Sequence, residues 1–169
     1  MPSFNCSRRL AKLLPPVLAG LWLFSPGLCL QAQAPGSAVL TIAPSTRLTI
    51  QRGAAADFSL KAELQPGFHV NSNMPGDDYL IPIKLTWNKE PLEAEQVMYP
   101  KAQQEKLAFS PNPISVYTGS FEIATHFKAP PTAMPGMAFM NGKLRYQACN
   151  NKECLPPRTV DVRVTLDIQ

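Results

Sequence analysis

Cys149 and Cys154 stand with four residues between them in RYQACNNKECLPP, residues 145–157. A thiol pair at this spacing is open to three chemistries: a structural staple, part of a metal clip, or a working redox couple. Magnitude speaks against the staple without excluding it. Closing so short a loop stabilises a fold by about 2 kcal/mol in the chain-entropy view, against about 3 for a fifteen-residue loop. An exposed disulfide at a hairpin tip is also within reach of a partner thiolate, and exposed or strained disulfides are the labile ones. For a structural zinc site the pair lacks a second Cys pair or a His pair. A soft-metal alternative comes from MPGMAFMNG, where Met134, Met137 and Met140 recur every third residue and thioethers suit Cu(I). His69 and His126 would be the further ligands. Against this, methionines commonly pack loosely in loops, and the two lone histidines read as ordinary surface or strand residues.

Other chemistries find no support. No Ser/His/Asp set or carboxylate pair stands out, and Asp77-Asp78 reads as turn chemistry. The CxxC signature of thioredoxin-like proteins is absent, as is a βαβ pattern around the cysteines. A redox protein with this sequence is therefore built on strands. No cofactor and no small-molecule substrate are expected.

The N-terminus sets the compartment. Arg8, Arg9 and Lys12 form a basic n-region, LLPPVLAGLWLF (13–24) an apolar h-region, and AQA (32–34) a small-residue cleavage site. This is the pattern of a secretory signal over residues 1–34, followed by a single domain over 35–169. The apolar run is short for a membrane span, although an uncleaved anchor is the alternative. Cys29 lacks the small residues that precede a lipoprotein cysteine. Three of the 16 Lys/Arg and none of the 12 Asp/Glu lie in the signal, so the formal charge of +4 falls to 13 − 12 = +1 on cleavage. No basic stripe with interleaved aromatics remains, and nucleic acid is not an expected partner. Two of the four cysteines, Cys6 and Cys29, leave with the signal. The remaining pair then meets an oxidising compartment, where a disulfide can form.

The elements that must position the pair are short strands. DFSLKAEL (57–64) alternates, with Phe58, Leu60, Ala62 and Leu64 on one face. AVLTI (38–42), TRLTIQ (46–51), FHVNSN (68–73), IPIKLTW (81–87) and QVMYP (96–100) are further candidates. ISVYTGSFEIATHFK (114–128) reads as strand, turn near Gly119, strand. GKLRYQAC (142–149) and TVDVRVTLDI (159–168) flank CNNKEC as the arms of a hairpin. The 18 prolines punctuate strands and would break helices. About eight such strands predict an all-β, immunoglobulin-like antiparallel β-sandwich. The stretches 101–113 and 129–141 read as long irregular loops. The 135 residues after the signal (169 − 34) suffice for a core, burying roughly two-thirds of their surface.

YQACNNKECLPP resembles the active-site hairpin of the N-terminal periplasmic domain of the DsbD thiol–disulfide interchange proteins. PGFHVNSN (66–73) with IPIKLTW is similar to that family's early strands. YPKAQQEKLAFSPNPISVYTG (99–119) is similar to the region of its cap loop. The resemblance implies an immunoglobulin-like fold and an electron carrier. Its partners would be periplasmic thioredoxin-like oxidoreductases and a separate membrane electron donor. Cys154 would attack the partner disulfide and Cys149 resolve it. Phe109 would cap the pair, while Tyr146, Pro156 and Pro157 would shield the site or receive a partner. Lys152, Arg145 and Arg158 are cations able to lower a thiol pKa, and Glu153 would oppose them. Three departures are visible: a four-residue spacer where some relatives have five, His69-Val70-Asn71-Ser72-Asn73 where some carry tyrosines, and a chain ending at Gln169, which implies a stand-alone version.

Overall fold

Alternation of side chains decides the core strand by strand. The computed structural model describes residues 38–44, 47–106, 110 and 112–169. The expected signal at 1–34 and the expected cap residue Phe109 lie outside the described residues. Among those described, the regular structure is all strand: β1 Leu40–Ile42, β2 Leu48–Ile50, β3 Ala55–Leu64, β4 His69–Asn71, β5 Lys84–Trp87, β6 Glu93–Met98, β7 Gln103–Glu105, β8 Ile114–Thr118, β9 Ser120–Lys128, β10 Gly136–Tyr146, β11 Ala148–Cys149 and β12 Arg158–Ile168. In β3, Phe58, Leu60, Ala62 and Leu64 are buried and the residues between them exposed, as a half-buried strand of period two requires.

The strands form three four-stranded sheets, β1-β3-β9-β6, β2-β12-β10-β5 and β11-β4-β8-β7. The first two close over one core. Leu60, Ile123 and Phe127 of one sheet share it with Leu144, Val164 and Leu166 of the other. Trp87 of β5 meets Phe127 and Phe58 edge-on, with ring centroids 5.0 and 6.0 Å apart. Its indole N–H donates to Thr125 Oγ1 of the facing sheet at 3.0 Å, so the one polar atom of the ring is satisfied inside the sandwich. This is the all-β sandwich that the alternating runs predict. Pairing is antiparallel throughout except that β2 lies parallel to β12.

Two local expectations are corrected. The stretch 129–141 is not all loop: from Gly136 it belongs to β10, paired residue for residue with β12 from Gly136↔Ile168 to Tyr146↔Arg158. In 101–113, Gln103–Glu105 adds an edge strand on β8. The strand–turn–strand expected at 114–128 is present as β8, Gly119 and β9, with the two strands in different sheets. Gly119 has φ of +59°, a left-handed conformation that glycine adopts without a Cβ clash, and it turns the chain from one sheet to the other.

Gly142 marks a close approach. It pairs with Trp87 in the β10–β5 register, and a Cβ there would stand 2.5 Å from Trp87 Cε3 and 2.7 Å from the Thr86 carbonyl oxygen. Gly142→Ala is expected to cost about 1–3 kcal/mol, the usual range for forced overpacking. Urea unfolding would read it as a lower midpoint at unchanged slope; a midpoint equal to wild type would show that the ring moves aside freely.

Candidate active site: the cysteine hairpin

The site begins where β10 changes partners. Up to Tyr146 the strand pairs with β12. After Gln147, β11 pairs instead with β4, Ala148 opposite Val70 and Cys149 opposite His69. The hairpin thus grows from a corner where a strand passes from one sheet to another. Leu155 N–H donates to Ala148 O at 2.8 Å and Asn150 N–H to Glu153 O at 2.9 Å. These two bonds bracket Cys149 and Cys154 as a non-hydrogen-bonded antiparallel pair, the position where facing Cα atoms come nearest. The sulfurs are bonded and the Cα atoms lie 4.0 Å apart.

The tip is held by one side chain. Asn150 Oδ1 accepts from the backbone N–H groups of Lys152 (2.8 Å) and Glu153 (2.9 Å). An Asx-type turn of this kind is the reason Asn suits the position. Gln147 Nε2 donates to Leu155 O at 3.1 Å and ties the returning arm. Leu155 is partly buried against the core, while Pro156 and Pro157 are exposed beyond it.

The two cysteines differ. Cys149 is 0 % exposed, whereas Cys154 is exposed. An attacking thiolate and a reachable disulfide sulfur both need access, and Cys154 has it. Tyr146, at 2 % exposure, lies in the core beneath the hairpin rather than on its surface. Burial raises its phenol above the ordinary value, with the Arg158 charge acting against this. So buried a side chain presents almost no surface to a partner. Lys152, Glu153, Arg145 and Arg158 are all exposed around the hairpin.

The methionine series does not assemble. Met134 is 84 % exposed and Met140 0 %. Met137 and Met140 lie an odd number of residues apart on β10, which sends them to opposite faces. Among the described residues no group of three or more His, Cys, Asp and Glu could hold a metal ion. His126 lies elsewhere, on β9, with Nδ1 2.6 Å from Asp57 Oδ1.

His69 is the residue that sequence reasoning missed. It was expected as an ordinary surface or strand residue. It is indeed on a strand, but it is 3 % exposed and directly opposite Cys149. Its Nε2 is buried without a hydrogen-bond partner. Burial pushes the imidazole below its ordinary pKa of 6.5, and the Glu105 carboxylate opposes the shift. The ring is therefore neutral at neutral pH. Its type is legible in the sequence; its neighbour is set by the β4–β11 register.

A β-sandwich with a cross-strand disulfide on a corner hairpin defines the class: a strand-built domain presenting one cysteine and burying the other. The family model for the N-terminal domain of the thiol:disulfide interchange protein DsbD matches residues 38–166, and the chain belongs to that family. Similar solved structures include the N-terminal periplasmic domain of ScsB from Proteus mirabilis, 16% identical with a TM-score of 0.48, the match covering 76% of this chain and 44% of that one. Another is the Neisseria meningitidis DsbD N-terminal domain in its reduced form, 15% identical with a TM-score of 0.46, covering 69% of this chain and 82% of that one. The chain thus spans less than half the length of the ScsB domain it matches. No curated protein matches the chain. No helix among the described residues is long and apolar enough to cross a membrane.

Proposed function

We propose that this protein is a periplasmic electron carrier that reduces partner disulfides through the Cys149/Cys154 pair. The observation that carries this reading is the asymmetry of the pair: an exposed Cys154 at the tip and a buried Cys149 behind it. In the dithiol form, the Cys154 thiolate attacks a disulfide of the partner. A mixed disulfide forms, and the first partner sulfur leaves as a thiolate that takes up a proton. Cys149 then attacks the Cys154 sulfur, the Cys149–Cys154 bond forms, and the second partner thiolate is released. Two electrons pass to the partner, and no bound cofactor is needed.

The partners in this reading are thioredoxin-like oxidoreductases, and a membrane protein returns the electrons. Residues 1–34 act as the export signal. Phe109 covers the pair until a partner docks, limiting stray oxidation of the thiols. Pro156 and Pro157 form the exposed lip against which a partner rests.

The deciding measurement is the reduction potential of the pair, taken by equilibrating the full chain with glutathione buffers. Cys6→Ser and Cys29→Ser changes leave only the hairpin thiols to report. A potential between about −180 and −270 mV is expected, within the span of exchanging oxidoreductases. A value below about −300 mV would mark a structural disulfide and leave a non-catalytic binding module as the account of the fold.

A further inference from the structure

One face of β4 carries two unpaired polar atoms, on His69 and on Asn71, although Asn71 Nδ2 donates to the Ile81 carbonyl at 3.0 Å. His69 and Asn71 are two residues apart and so share one face, with Val70 turned to the core on the other. Both are buried, and each holds a side-chain atom without a hydrogen-bond partner, His69 Nε2 and Asn71 Oδ1. An unmade hydrogen bond at a buried polar atom costs about 1–3 kcal/mol, and such an atom calls for an explanation. For Nε2 the register supplies one. Directly opposed residues of an antiparallel pair have Cβ atoms about 4.5–5.5 Å apart on the same face, and the residue opposite His69 is Cys149. In the disulfide form Cys149 has no proton to donate. In the dithiol form its S–H is the donor that the register brings to the face His69 occupies.

We propose that His69 is the proton acceptor for the buried Cys149 thiol during release of the partner. The inference rests on the carrier reading above and assigns a residue to its second step. Cys149 is a poor nucleophile as a buried thiol, because burial in apolar surroundings disfavours the thiolate. His69 Nε2 takes the Cys149 proton as its sulfur attacks Cys154 Sγ. The Cys149–Cys154 bond forms, the Cys154–partner bond breaks, and the departing partner thiolate recovers one proton from the imidazolium. Atoms and electrons balance without an outside oxidant. The surroundings suit the role. The imidazole is held neutral by burial and is available as a base, and Glu105 on β7 is the charged group that favours the imidazolium once formed. β8 (ISVYT) brings no acid or basic side chain against it, and β11 brings only Cys149. Glu105, Thr118 of β8 and Asn151 of the hairpin line the shallow pocket that His69 shares.

The test is single-turnover exchange with oxidised glutathione. The full chain with Cys6→Ser and Cys29→Ser is reduced, mixed with oxidised glutathione and acid-quenched, and the glutathionylated intermediate is followed by mass. In the parent chain, resolution is expected to stay fast from pH 6.5 to 8. In His69→Gln it is expected to slow by about a hundredfold at pH 7, a usual scale for general-base catalysis. The deficit should shrink as pH rises above the ordinary thiol pKa of about 8.5, where hydroxide can take the proton in place of the imidazole. The resolution step should suffer far more than the attack by Cys154, which a general loss of structure would not produce. A parallel pH profile in both proteins overturns the proposal and leaves the carrier reading standing. Failure of the reduced parent chain to release glutathione and form the Cys149–Cys154 disulfide overturns both. If His69→Gln does not fold, NMR titration of the His69 imidazole in the unsubstituted ring decides: its midpoint should move on reduction of the disulfide, and identical curves in the two states overturn the proposal.

Discussion

Cys149→Ser protein should hold its partner covalently on Cys154 and turn over at background, a loss of about a thousandfold or more, as expected when one member of an obligate catalytic pair is removed. The reason is access. Cys154 is exposed and can still attack. Cys149 is fully buried, directly opposite Cys154 on the facing arm, and is the hairpin's other thiol. With serine in its place no sulfur is available to displace the partner. Non-reducing electrophoresis of periplasmic extracts would reveal the adduct as a band that dithiothreitol dissolves. The converse variant, Cys154→Ser, should give no adduct, because the remaining thiol is out of reach. Equal trapping by the two variants would sink the division of labour between the cysteines.

Phe127→Ala should lower stability by about 3–5 kcal/mol, the range for removing a buried phenylalanine. Phe127 is fully buried on β9. Its ring touches both layers of the sandwich: Phe58 of β3 at 6.3 Å and Trp87 of β5 at 5.0 Å. Truncation leaves a cavity between the sheets and unseats the indole whose N–H reaches Thr125. Against a total stability of about 5–15 kcal/mol for a domain, this is a large fraction. Thermal unfolding followed by circular dichroism should show the transition at least about 10 °C lower, given several degrees per kcal/mol at this size. A change under about 1 kcal/mol would mean that the two sheets are not packed through this cluster.

Much of the fold was legible because period-two burial is a local property. Phe58, Leu60, Ala62 and Leu64 face inward in β3 because each strand residue reverses the direction of the last. The same alternation holds in β10, where Leu144 and Tyr146 are buried and Arg145 is exposed, although Tyr146 was expected at the surface of the site. The hairpin was legible for a similar reason: Asn150 caps its own turn, and its arms are adjacent in sequence. The rule was missed at Gly136–Asn141, where glycine and methionine obscure the alternation, yet the β12 partner continues the ladder and carries the strand with it.

Sequence alone therefore determined the all-strand class and the cysteine hairpin, since each follows from neighbours within a few residues, and it predicted the sandwich; the structure bonds the two sulfurs. Tertiary structure alone decided three things. It set β8 and β9 in different sheets although one glycine joins them. It split the methionine series between solvent and core. It buried His69 opposite Cys149. Each depends on which strand lies beside which, and strand register is fixed by packing of the whole sandwich, where a shift of one residue would turn every buried side chain outward.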